Sequence, residues 1–310
     1  METSVIISTY NGMAYIEEQL DSILDQSIMP DQVLIFDDCS TDGTDEFVLN
    51  YIQKNKLSNW KLHRNENNKG WKKNFIEGIW QATGDLIFTC DQDDIWVNNK
   101  IEAVSKIFEE NTKIELLTTN CIAFYDDGSE VIRPQKENNL LFKQNIMINF
   151  FEVPYPGCTY AFRKSLAWKS RLYWEQDFPH DALLWRMALY SDSAYSLNTS
   201  LIKWRKHNTS TYTIESVKSK SYESKRAWLD YADRALLSIE KYMLNENVKN
   251  RDRKEKNIAV NKKWVNLRKK FYETAKLKFA FQLLLLIRVY PRKRQFFGDV
   301  YLIAKNRLMR

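Results

Sequence analysis

Along the first 125 residues, short apolar runs alternate with stretches in which apolar side chains recur at helical spacing. The runs at 5–8, 33–36, 61–64, 86–89 and 116–119 predict strands. Between them Ile16, Leu20 and Ile23 make one helical face, and the same period recurs in Phe47, Tyr51 and Ile52, in Phe75, Ile76 and Ile79, and in Ile101, Val104 and Phe108. Such alternation predicts βαβ units and an α/β fold around a mostly parallel sheet flanked by helices. Polar residues gather where three of the strands end: Ser8-Thr9-Tyr10-Asn11, Asp37-Asp38 and Asp91-Gln92-Asp93-Asp94. Ligands of open α/β sheets sit outside the carboxyl ends of the strands, so the three clusters are expected to face one crevice.

Further on the pattern loosens. Residues 126–180 carry a turn signal at Asp126-Asp127-Gly128 and a loop signal at Pro154-Tyr155-Pro156-Gly157, and a helix is expected to open at His180. From Tyr222 the chain is Lys-rich with helical period, Trp228, Tyr231, Ala235 and Ile239 sharing a face. The polar stretch 245–257 reads as a linker, and 264–310 interleaves aromatic and Leu residues with a dozen basic ones. No internal repeat is evident. The resulting division is 1–215, with halves 1–125 and 126–215, followed by a helical basic region, 216–310.

Composition excludes collagen-like, low-complexity and wholly disordered chains: 44% of the 310 residues are apolar, with 8 Gly and 6 Pro. The net charge of +6 hides an asymmetry. Residues 1–240 hold 26 Lys and Arg against 35 Asp and Glu, whereas 241–310 hold 20 against 5. That split points the tail toward an anionic partner. The four cysteines, Cys39, Cys90, Cys121 and Cys158, form no CxxC pair, so neither a zinc site nor a dense disulfide framework is expected, and a reducing compartment fits. Nothing at the N-terminus marks secretion. The longest apolar run, 279–287, is nine residues interrupted by Gln282, too short to span a bilayer.

Asp91-Gln92-Asp93-Asp94 is the most informative feature. Carboxylates crowded at a strand end repel unless a cation joins them, and oxygen ligands point to Mg²⁺ or Mn²⁺. The plainer alternative is an acidic turn capping the next helix. In Asp37-Asp38-Cys39-Ser40-Thr41-Asp42-Gly43-Thr44, a Ser, Thr or Asp is expected to N-cap the helix near Asp45. Capping leaves two carboxylates directly after the strand unused, and a carboxylate there can bind a ligand's hydroxyl or N–H groups.

Five segments in order, Val5 to Gly12, Leu20 to Gln26, Asp37 to Thr44, Gly84-Asp85 and Asp91-Gln92-Asp93-Asp94-Ile95-Trp96, together resemble bacterial glycosyltransferase family 2. The resemblance is dense over 3–125 and thinner to about 210. It implies the GT-A fold, a Rossmann-like, mostly parallel sheet, here with a helical C-terminal extension. By resemblance, Ser8, Thr9 and Tyr10 line the nucleotide, Asp38 contacts the base beside Asp37, and Asp91 and Asp93 form a DxD element for the divalent ion and ribose. Gly70-Trp71-Lys72-Lys73-Asn74-Phe75 matches a Gly-x-x-x-Asn helix start, with Lys73 a phosphate contact. Tyr155 to Phe162 matches the acceptor-side strand. Pro179-His180-Asp181 matches the place of the catalytic base, which is Asp181; the alternative is a helix cap. In Trp204-Arg205-Lys206-His207-Asn208 the resemblance is to an Arg-x-His element, Arg205 gripping the diphosphate and His207 ligating the metal.

The implied activity is a metal-dependent, inverting transfer from a nucleotide sugar, dTDP-rhamnose or a UDP-hexose, to a cell-surface glycan on a lipid carrier, in a cytoplasmic protein at the inner membrane face. The subgroup most alike is the rhamnosyltransferase type. Two rivals are a nucleotidyltransferase, which would show a basic Gly-rich N-terminal loop, and a non-catalytic glycan- or membrane-binding module, which would lack the acidic clusters. For 264–310 the leading expectation is an interfacial anchor in which Arg268, Lys269, Lys270, Arg292, Lys293 and Arg294 meet anionic lipid. The alternative is a helical hairpin packed on the protein. Nucleic acid is not expected, since no reading motif accompanies the charge.

Overall fold

The computed structural model describes residues 1–125, 128–133, 137–207 and 221–308. Asp126 and Asp127 of the predicted turn, Asn208, and the expected boundary at 215 lie outside them. The chain divides into two units: residues 1–144 with 153–206, and residues 145–152 with 207–310.

In the first unit, strand β1 (Thr3–Thr9) carries Val5, Ile6 and Ile7 fully buried on both faces, as a central parallel strand requires. Strand β2 (Gln32–Asp37) pairs parallel on one side of it and β4 (Leu86–Asp91) on the other, with β3 (Trp60–Arg64) parallel outside β2. The strand order thus reverses at β1, and the registers set Thr9 beside Asp37 and Ser8 beside Asp91. Three polar strand ends therefore meet at one switch point.

The fifth strand foreseen in the sequence, β6 (Leu116–Tyr125), does not lie next to β4. Between them runs β9 (Tyr160–Arg163), antiparallel to both, so the sheet is mixed toward this side. Strand β10 (Ala194–Lys206) then runs parallel to β6, and β5 (Ile95–Trp96) pairs antiparallel with it. Two short strands, β7 (Glu130–Arg133) and β8 (Leu141–Lys143), hang on β6 and β10.

Helices α1 (Ile16–Leu24), α2 (Thr44–Lys54), α3 (Trp71–Ile79) and α4 (Lys100–Glu110) fall where the periodicity predicts and bury the expected faces, Phe47 and Ile52 partly. The segment after α1 acts through packing. Gln26 donates to the carbonyls of Ser22 (3.0 Å) and Val97 (2.8 Å) and accepts from Ile101 N, which ties α1 to α4. Helix α5 (Lys164–Ser170) follows β9, and α6 (His180–Tyr190) is buried almost throughout.

The second unit contains α7 (Tyr222–Asn245), α8 (Arg251–Thr274), α9 (Leu277–Leu285) and α10 (Arg294–Leu308). Helix α7 buries Leu229, Ala232, Leu236, Ile239 and Met243, a three-four spacing. The expected linker at 245–257 is corrected: only 246–250 connect, and Arg251 to Asn257 begin α8. Their polar side chains have structural work. Asn257 donates to Met147 O (2.9 Å), while Asn261 donates to Ile148 O (2.9 Å) and accepts from Phe150 N (3.0 Å), so the segment 145–152 is strung along α8.

Candidate active site

The acidic loop after β4 is the centre of the crevice. Its backbone is held from below: the buried Gln19 amide, turned with its nitrogen toward the loop, donates to Asp94 O (2.6 Å) and Asp91 O (3.2 Å). From the side, Gln92 accepts from Tyr10 N (2.8 Å) and donates to Tyr10 O (3.1 Å), clipping the end of β1 to the end of β4. A Cβ at Gly12 would collide with that amide, so a larger residue here would have to push Gln92 off Tyr10.

The Asp94 carboxylate is buried, and its Oδ1 accepts Arg205 N at 3.2 Å. Among the described residues its Oδ2 has no N–H or O–H partner. Burial, with Asp91 and Asp93 beside it, pushes Asp94 well above the usual carboxylate range. Burial also raises Asp91 to about 7, helped by the charges of Asp93 and Asp181. Asp91, Asp94 and Cys158 bring one potential ligand atom each within 4.8 Å of one another. Burial pushes the Cys158 thiol well above its usual range, so it stays protonated and is not a thiolate ligand. An orphaned buried carboxylate oxygen beside further oxygen ligands fits a hard divalent cation such as Mg²⁺ or Mn²⁺.

One buried cation stands behind this loop. Lys100, at the start of α4, donates to Cys158 O (3.1 Å) and lies 3.8 Å from the centre of the Trp96 ring, while burial lowers its pKa to about 8. Arg205 stands beside the loop, donating from Nε to Asp93 O (3.0 Å) and pairing with Glu18, its guanidinium between the rings of Tyr15 and Phe124.

On the far side of β1, the other predicted residues hold loops. Asp37 accepts from Thr9 Oγ1 (3.0 Å) and Ser40 N (2.8 Å). Asp38 accepts from Asn65 Nδ2 (2.9 Å), Lys69 N (2.8 Å) and Gly70 N (2.8 Å), so a nucleotide contact from this carboxylate competes with three donors. The buried Asn74 donates to Ser8 Oγ (2.8 Å) and Phe36 O (2.7 Å), joining α3 to the ends of β1 and β2. The expected Ser, Thr or Asp cap of α2 is replaced by Gly43 at φ 90°, and Asp42 instead accepts from Met13 N and Thr44 N. Tyr10 is exposed at the rim, while Lys73 is half-exposed and paired with Glu77 at 3.7 Å.

Asp181 lies in the first turn of α6, where Pro179 and not Asp181 is the cap. A Cβ at Gly157 would stand 3.1 Å from both Asp181 Cβ and His180 Nε2, so glycine lets the start of α6 approach the loop before β9. His180 is buried, its ring 4.3 Å from that of Phe75, and among the described residues neither ring nitrogen has a hydrogen-bond partner. Burial lowers its pKa to about 4, so the imidazole is neutral.

Ser8, Thr9, Tyr10, Asp37, Asp91, Asp93 and Arg205 thus belong to strand ends and loops of the first unit, and Asp181 to the start of α6. His207 directly follows β10, at the second unit's boundary, and is not part of the three-residue cluster. Sequence reasoning missed Asn74, Gln92 and Lys100 as builders of the crevice, and Asp94 and Cys158 as members of its charged core. Asp94 stood in the acidic quartet, but only its burial separates it from Asp93.

The fold is of the GT-A class. A family profile for glycosyl transferase family 2 matches residues 4–171, and the chain belongs to that family. That membership favours the first of the classes weighed from the sequence. The chain is 34% identical over 166 residues to the dTDP-rhamnosyl transferase RfbG of Shigella flexneri. That match covers 51% of this chain and 54% of RfbG, so it spans about half of each. Among solved structures, S. aureus TarS 1–349 in complex with UDP-GlcNAc has a TM-score of 0.61 at 22% identity, covering 97% of this chain and 82% of that one. The Pyrobaculum calidifontis mannosyltransferase PcManGT, in complex with GDP-Man and Mn²⁺, has a TM-score of 0.54 at 15% identity, covering 98% and 85%. Both likenesses establish the fold.

Proposed function

We propose that the chain transfers a sugar, with inversion, from a nucleotide sugar to a hydroxyl of a lipid-linked surface glycan at the cytoplasmic face of the cell membrane. The observation that carries this reading is the register of β1, β2 and β4. It sets Thr9 beside Asp37 and Ser8 beside Asp91, with Asp181 near enough for its charge to raise the pKa of Asp91. The RfbG likeness favours dTDP-rhamnose as donor, with a UDP-hexose, the class of the UDP-GlcNAc bound to TarS, as the second choice.

Ser8, Thr9 and Tyr10 line the nucleotide, with Asp37 and Asp38 shaping the base pocket. Arg205 exchanges its ion pair with Glu18 for the donor diphosphate, and Lys73 reaches the same phosphates from α3. Asp91, with Asp93 and Asp94, would hold Mg²⁺ or Mn²⁺. The ion supplies neutralisation of the charge that grows on the leaving diphosphate. Asp181 accepts the proton of the acceptor hydroxyl as its oxygen bonds to the anomeric carbon. The bond from that carbon to the phosphate oxygen breaks on the opposite face, and the nucleoside diphosphate departs with the electron pair. The crevice fixes the line of attack.

The test is hydrolysis of dTDP-, UDP- and GDP-sugars with Mn²⁺ or Mg²⁺, followed by transfer to a lipid-linked acceptor. Asp181→Asn is expected to bind donor normally and to lose transfer by roughly 10²- to 10⁴-fold. No binding or turnover with any donor overturns the reading, and an active Asp181→Asn moves the base elsewhere.

A further inference from the structure

The basic region does not present its charges as the sequence led us to expect. Arg268 is buried and makes a two-pronged ion pair with Asp299 at 2.8 and 2.9 Å. Lys269 is paired with Asp230 (2.8 Å) and Asp233. Neither is available to a surface, which corrects two of the six residues assigned to lipid.

What the second unit does expose lies further on. Helix α9 buries Leu283 on one side, while Leu277, Phe281, Leu284 and Leu285, at i, i+4, i+7 and i+8, form a stripe on the other. Phe281 is 69% exposed and Leu285 86%. Helix α10 repeats the arrangement: Phe296, Asp299 and Ile303 are buried, and Phe297 and Tyr301 are exposed on the opposite face. Isolated exposed apolar residues are ordinary, but two such stripes on successive helices are not.

Charge identifies the occupant. Residues 274–298 contain Lys276, Lys278, Arg288, Arg292, Lys293 and Arg294 and no Asp or Glu. All six basic residues are exposed. A second copy of the same face would set six like charges against six, and a nucleic acid would leave the aliphatic stripe of Leu277, Leu284 and Leu285 uncovered. An anionic bilayer surface satisfies both, taking the apolar stripe at the acyl boundary and the cations among the headgroups. Nine residues of helix are about 13 Å long, enough to lie in that interface and not to cross it. Among the described residues no helix is long and apolar enough to cross a membrane.

We infer that α9 and the start of α10 form an interfacial docking face for anionic phospholipid, inserting Phe281 and Leu285. This deepens the membrane association proposed above, and vesicle binding tests it without reference to sugar transfer. The full chain is sedimented with phosphatidylcholine vesicles and with phosphatidylcholine–phosphatidylglycerol vesicles over a salt series. Binding is expected only to the anionic vesicles, falling as salt rises. Replacing Arg292, Lys293 and Arg294 by Gln is expected to weaken it about a hundredfold, at about fivefold per charge. Phe281→Asp with Leu285→Asp is expected to cost at least about tenfold. Leu285→Ser alone serves as the milder variant if the double one melts early. Leu172→Asp, an exposed apolar site in the first unit, is expected to change nothing. Equal binding to neutral vesicles overturns the inference. So does undiminished binding of the Phe281/Leu285 variants, or a dimer in light scattering that these variants dissociate. Donor hydrolysis is measured without vesicles, so loss of turnover with vesicle binding intact counts against the catalytic reading alone.

Discussion

The two units bury charge in opposite ways. In the helical unit, Arg268 is surrounded: Asp299 meets it with both oxygens, the hydroxyls of Tyr272 (2.7 Å) and Tyr290 (3.1 Å) donate to the same carboxylate, and the Trp264 ring lies 4.6 Å from the guanidinium. In the sheet unit, Asp91 and Asp94 are crowded by Asp93 and Asp181, and Asp94 keeps an oxygen without an N–H or O–H partner. The first arrangement is complete within the chain, whereas the second leaves a carboxylate oxygen unmatched despite the buried Lys100 behind it. A buried network with every lone pair used holds a fold, and a buried network left short marks where something else binds.

The comparison is broken most directly at Arg268. Arg268→Met leaves the Asp299 charge buried and uncompensated, and a loss of about 3–5 kcal/mol is expected in chemical denaturation. Adding Asp299→Leu is expected to recover most of that loss, because the pair is then replaced by apolar packing. If the single variant is as stable as the parent, the helical unit's network is not structural and the contrast fails.

His180 belongs to the sheet unit's pattern, a buried polar group with unmet hydrogen-bonding capacity. Its folded pKa of about 4 lies below the ordinary value of 6.5. The folded protein therefore resists taking up a proton that the unfolded chain accepts, and stability falls as pH drops from 6.5 toward 4. The contribution is at most about 3 kcal/mol, from a shift of roughly 2.5 units at 1.36 kcal/mol each. His180→Phe is expected to flatten this part of the melting-temperature profile between pH 4 and 7. An identical slope in the variant would assign the loss to other groups.

How much of this was legible beforehand differs between the units for the same physical reason. The strands and helices of the first 125 residues announce themselves because parallel strands buried on both faces read as unbroken apolar runs, such as Val5-Ile6-Ile7. The three polar strand ends were visible too, since their meeting depends on topology alone. The insertion of β9 between β4 and β6 was not visible, because a four-residue strand pairing across more than 40 residues leaves no local period. The division of labour inside Asp91-Gln92-Asp93-Asp94 was equally hidden: Gln92 clips a loop and Asp94 is buried, outcomes that depend on Tyr10, Arg205 and Cys158 arriving from elsewhere. In the helical unit Arg268 read as one more surface cation, since nothing in the sequence pairs it with Asp299, 31 residues away.

The smallest expected effect sharpens the contrast from the acidic side. Asp94→Asn keeps an oxygen for Arg205 N, replaces the orphaned oxygen with an amide that can donate toward Asp91, and removes one of several crowded charges. The sign follows from raised carboxyl pKa values. Stability from Asp91 and Asp94 is fully present below the unfolded value of 3.8 and is lost for Asp91 as pH rises through about 7. The parent is therefore expected to gain on Asp94→Asn by about 1 kcal/mol at pH 8, read by denaturation without added metal, and to gain nothing at pH 4. Mn²⁺ should raise the parent's melting temperature at pH 8 and not at pH 5, since ligand carboxylates must first lose their protons, and this increment should shrink in the variant. A variant that is less stable at pH 8, with the Mn²⁺ increment unchanged, would mean that Asp94 is a structural residue like Asp299, and that the two units bury charge for one purpose.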